Sequence, residues 1–233
     1  MNDHIGQSLR LQSLAKAMAS VAAVLALGGC MTSAYVATKV EGWSNDRSLN
    51  KGMAHLRAYI EHLRKLGDPQ GDYYYALANS DGWIKDVKDP KAITVLFEQA
   101  AAKGSVDAQI LLALQEAMSE DRPGKLDYGQ GPRENPQRWE SGLAKLLPLL
   151  QQQCYARRLV IDDGRPRLRH YSIAYKVWPT FRDGYYRRNE DGSRTLIRDP
   201  ERHALWEGIH RRCLAEMPKR QYLDEHFNLI RSY

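Results

Sequence analysis

The chain has 233 residues, 43% of them hydrophobic and 27% charged, with 34 Lys and Arg against 28 Asp and Glu for a net charge of +6. That length suffices for one large or two small domains with a real core. Beyond the first thirty residues no apolar run of membrane length recurs, which excludes a membrane-embedded bundle and points to a globular body.

Residues 1–29 read as an export signal. Arg10 and Lys16 supply a positive flank, and the apolar run from Ala17 to Leu27 is too short to span about 30 Å of hydrocarbon as a permanent helix. The run ends in Leu27-Gly28-Gly29-Cys30, which resembles the lipobox of bacterial lipoproteins. The resemblance implies cleavage before Cys30 and lipidation of its thiol, with several acyl chains giving stable anchorage. Met31 in place of Asp after that cysteine implies the outer membrane, facing the periplasm. Taking 29 residues from 233 leaves 204, with Cys154 and Cys213 as the remaining cysteines. An even pair in an oxidising compartment is expected to be joined, two buried free thiols being the alternative.

A tether over 30–50 leads into an internal repeat over 51–118. In DPKAITVLFEQAAAKGSVDAQ, residues Ile93, Leu96, Phe97, Ala100, Ala101 and Gly104 fall at helical steps of three and four on one stripe. Asp89 is the expected N-cap, Pro90 the first helical residue, and Lys103-Gly104 the stop. A second helix, from Val106 to Met118, has apolar residues on two faces and is expected to be buried on both. The same spacing recurs upstream at an offset of 37: Leu56 matches Ile93, Ile60 matches Phe97, and Gly67 matches Gly104. With the loop glycine Gly82, the Asp-Pro-Lys-Ala start at Asp89 to Ala92, and small residues through Ala108, this stretch resembles the Sel-like repeats, relatives of tetratricopeptide repeats. The resemblance implies a mainly α protein, a short stack of antiparallel helical hairpins forming a solenoid whose concave face binds protein.

Residues 119–135 are rich in Gly and Pro and read as a linker. Asn135-Pro136 then starts a helix that Pro148 should kink or end. From Gly131 onward, 20 Lys and Arg face 13 Asp and Glu, so the basic surplus lies in a C-terminal module over 136–233. Within it, DGYYRRNEDGSRTLI reads as a β-hairpin turning at Asn189 to Gly192, and Asp199-Pro200 starts a last helix reaching about Glu216.

Chemistry is sparse. No G-x-S-x-G, H-E-x-x-H, P-loop or Cys-x-x-Cys is present, so no enzyme activity, catalytic residue or cofactor is expected. His203, Glu207 and His210 share a helical face that could ligate zinc, but a solvated face with an ion pair is the simpler reading, and no metal is expected. The arginines between 165 and 194 are interleaved with Tyr171, Tyr175, Trp178, Tyr185 and Tyr186, as in nucleic-acid binders, yet a periplasmic location argues against nucleic acid and leaves a plain solvated surface or, next, an acidic protein partner. Tyr73, Tyr74, Arg182, Tyr185, Arg187 and Arg188 are the candidate partner contacts. A lipoprotein with Sel-like repeats and a basic extension resembles the immunity proteins of type VI secretion phospholipase effectors. That resemblance implies binding and occlusion of a toxin, the alternative being an envelope scaffold for cell-wall or secretion machinery.

Overall fold

The computed structural model describes residues 46–118, 135–189, 191–219 and 221–231. The export signal, Cys30, most of the tether and residues 119–134 of the linker lie outside the described residues. Leu49–Tyr233 form one unit, and of Met1–Ser48 only 46–48 are described. The fold is mostly helical with a small antiparallel sheet.

In chain order, α1 covers 46–65, so it begins inside the segment read as a tether. Then come α2 (Pro69–Ser80), α3 (Pro90–Ala102), α4 (Val106–Met118) and α5 (Pro136–Gln152). A hairpin of β1 (Tyr155–Asp162) and β2 (Arg165–Ser172) follows, then α6 (Ala174–Asp183), a second hairpin of β3 (Tyr185–Arg188) and β4 (Arg194–Ile197), and α7 (Pro200–Glu216). Two short strands, β5 (Gln221–Leu223) and β6 (Leu229–Arg231), complete a sheet of order β1-β2-β5-β6.

Four helices begin by one device, an Asp or Asn followed by proline. Asp68, Asp89, Asn135 and Asp199 each accept a first-turn amide, at 2.8, 3.2, 3.0 and 2.9 Å respectively, while proline fills the position whose donor would otherwise be idle. The 37-residue offset also has a local counterpart: the Asp68 amide donates to Leu63 O, and the Ser105 amide to Ala100 O, each at 3.0 Å. Gly67 and Gly104 stand before these donors with φ of 72° and 101°. Pro148 does not end α5, which runs on to Gln152.

One continuous core joins helices and sheet. It includes Tyr73 and Tyr74 from α2, Phe97 from α3, Ile110 from α4, Trp139 from α5 and Leu168 from β2. Small residues set the helix approaches. A Cβ added at Gly142 of α5 would lie 2.6 Å from Ala117 Cα and 2.7 Å from Ala113 O of α4. Although Ala exceeds Gly in helix propensity by about 1 kcal/mol, Gly142→Ala should destabilise the protein by about 1–3 kcal/mol through overpacking against a rigid backbone. A urea midpoint equal to or above the wild-type value would contradict that.

The four-stranded sheet is the main departure from expectation, since only the 185–197 hairpin was anticipated in this half. Asp163 and Gly164 form its first turn with φ of 48° and 72°, the left-handed pair that a two-residue hairpin loop requires. Helices and sheet meet at Asp107, which is fully buried on α4. Its Oδ1 accepts the Arg157 amide at 2.7 Å and Gln153 Nε2 at 3.0 Å. Its Oδ2 accepts Arg157 Nε at 2.9 Å and the Gln70 amide group, and the other end of the Arg157 guanidinium lies 2.7 Å away. Elements α2, α4 and β1, with the residue that caps the end of α5, thus converge on one carboxylate.

Candidate binding surface

Of the predicted contacts, the structure removes Tyr73 and Tyr74. They are 0% and 2% exposed, and the Tyr73 hydroxyl donates to Arg157 O at 2.6 Å. Burial pushes both phenols well above their ordinary pKa, so they remain neutral hydrogen-bonding core residues. The physical reason is their position on α2, which has α1, α3 and β1 around it and no open face at these two residues.

The remaining candidates gather around α6 and the β3–β4 hairpin. On α6, Ala174, Val177 and Phe181 face inward, Phe181 lying 5.7 Å from the Trp139 ring. Tyr175 faces outward at 46% exposure. Arg182 is exposed, stacks 4.8 Å over Trp178 and binds Asp183 through two N–H groups at 2.6 and 3.0 Å. Its charge is therefore already committed within the chain.

The α7 face of His203, Glu207 and His210, expected to be solvated, is instead partly buried against Trp178. His203 lies 5.5 Å and His210 6.4 Å from the Trp178 ring, and His203 Nε2 is 4.0 Å from Glu207 Oε2. His210 Nδ1 is 2.8 Å from Ser172 Oγ, and burial lowers its pKa against the opposing pull of Glu207. Among the described residues no group of three His, Cys, Asp or Glu is arranged to hold a metal.

Gly184, with φ of 78°, turns the chain from α6 into β3. Register then sorts the hairpin. Tyr185 opposes Ile197 and is 9% exposed, anchoring the inner face. Tyr186 opposes Leu196 on the other face, where they are 56% and 39% exposed. Arg194, two residues from Leu196, shares that outer face, because side chains alternate along a strand. Arg187 opposes Thr195, and Arg188 opposes Arg194 in the backbone pairing. Arg187, Arg194 and Arg198 are exposed and form no ion pair among the described residues. The turn is internally braced: Asn189 Nδ2 donates to Ser193 Oγ at 2.8 Å and to Thr195 Oγ1 at 2.9 Å, while Asp191 accepts from the Ser193 amide at 2.9 Å.

No known protein family, curated protein or solved structure matches the chain significantly. The outer hairpin face combines an exposed aromatic and aliphatic pair with uncommitted guanidinium groups on a braced turn. Such a surface can dock an apolar and acidic patch at small ordering cost. Tyr186, Leu196 and Arg194 were not singled out from sequence, although the strict inward and outward alternation from Tyr185 onward was the available signal.

Proposed function

We propose that this chain is a lipid-anchored periplasmic protein that binds one protein partner through the outer face of the β3–β4 hairpin, as an immunity protein would bind a type VI secretion toxin of phospholipase type. The observation that carries the binding role is the exposed Tyr186–Leu196 pair beside Arg194 and Arg198, which form no ion pair among the described residues. Buried aromatic anchors ringed by charge are what dominate the energy of protein interfaces. The paired helices over 46–118, with the helix-end hydrogen bonds repeated at an offset of 37, support a Sel-like repeat array in that part of the chain. Inhibition would be steric: the bound body covers the mouth of the toxin's active site, and the lipid anchor holds it where the toxin arrives.

The test is capture from solubilised envelope, with mass spectrometry and an activity assay of any captured lipase. We expect one dominant enzyme, inhibited on binding, and a loss of about thirtyfold in affinity for Y186A/L196A, the size of a hot-spot loss of about 2 kcal/mol. Both positions are exposed, so folding should be retained. A mixed set of envelope proteins without inhibition would replace immunity with the scaffold reading.

A further inference from the structure

The connection between α2 and α3, residues 81–89, is much longer than the three-residue links at 66–68 and 103–105, and it is pinned throughout. Asp81 is held by Arg158, whose Nε lies 2.9 Å away. Arg57 grips Asp86 with two N–H groups at 3.2 and 2.9 Å. The Val87 amide donates to Asn79 Oδ1 at 2.9 Å, and Asp89 caps α3. All three carboxylates of the connection are therefore engaged. Its two lysines, Lys85 and Lys88, are exposed and form no ion pair among the described residues.

This connection borders an open cavity of about 280 Å³ lined by both lysines. Ile84 and Ile93, buried at 3% and 8% exposure, line it together with Val87 and Pro90. We propose that the cavity binds a small amphipathic anion, a short apolar chain or ring seated on Ile84 and Ile93 with a carboxylate directed to Lys85 and Lys88. The volume lies just under the range of about 300–1,000 Å³ typical of small-molecule sites, which restricts the occupant to a short chain. The pinned walls leave little ordering cost on binding. Net charge selects the head group: an ammonium is repelled, and an alcohol forgoes the charge-assisted contacts. This site is separate from the hairpin surface and does not depend on the partner proposed for it.

Octanoate is the probe, followed by amide resonances of the purified protein at low salt, with octanol and octyltrimethylammonium as controls. Expected are saturable shifts confined to residues 79–93 with octanoate, none with the cation, and an octanoate affinity about tenfold lower in K85A/K88A with octanol binding unchanged. The absence of saturable shifts, equal binding of octanoate and octanol, or an unchanged octanoate affinity in K85A/K88A would overturn the proposal.

Discussion

Asp107→Ala should lower stability by about 3–5 kcal/mol, the usual cost of removing one partner from a buried ion pair. For a chain of this size that corresponds to a fall of about 6–20 °C in Tm. The carboxylate is fully buried and receives N–H groups from Gln70, Gln153 and both the backbone and side chain of Arg157. Its removal strands all of them, with the Arg157 guanidinium only 34% exposed and hence poorly rehydrated. Asp107→Asn keeps the shape but turns an N–H group toward these donors, so it should recover less than half of the loss. A thermal melt within about 2 °C of wild type for Asp107→Ala would show that the hub contributes little, since that shift is under about 1 kcal/mol.

The second large effect is redox. Cys154 and Cys213 lie at disulfide distance, with Cα atoms 5.4 Å apart and a sequence separation of 59. A loop of that length corresponds to about 4 kcal/mol of lost denatured-state entropy. Oxidised protein should therefore melt about 8–16 °C above protein treated with reductant, and C154A/C213A should match the reduced form. Alkylation of denatured, unreduced protein checks the bond itself: uptake of two labels at these cysteines would rule it out. Both positions are buried, so the native protein should resist mild reductants.

Elements with local punctuation were legible. Asp89-Pro90, Asn135-Pro136 and Asp199-Pro200 place helix starts where the structure has them, and the same signal at Asp68-Pro69 marks α2. The β3–β4 hairpin was likewise readable from its turn and its Tyr, Thr, Leu and Ile content. The β1–β2 hairpin was not, although Asp163-Gly164 was in plain view. Its strands, YARRLVID and RPRLRHYS, look like a solvated basic surface because their arginines are neutralised from elsewhere in the chain. Arg157 meets Asp107 and Arg158 meets Asp81, at separations of 50 and 77 residues. Pairings over such separations leave no trace in a sequence window. β5 and β6 were missed because three residues are too few for a periodic signal. At the candidate site, arginine-rich composition located the region, but only the strand register separated anchoring Tyr185 from exposed Tyr186.

The sheet order β1-β2-β5-β6 has a consequence for how the chain reaches its native state. Strand β2 is complete at Ser172, but its partner β5 begins at Gln221. Until residues 221–231 have emerged from the ribosome, one edge of β2 has no hydrogen-bonding neighbour from this sheet. Helices α1 to α4 close their contacts over short separations and can form early, whereas the sheet must wait for its distant strands. An exposed strand edge during that interval invites pairing with another chain. Slow synthesis of the last residues should therefore raise the aggregated fraction through this edge, before any native surface exists to protect.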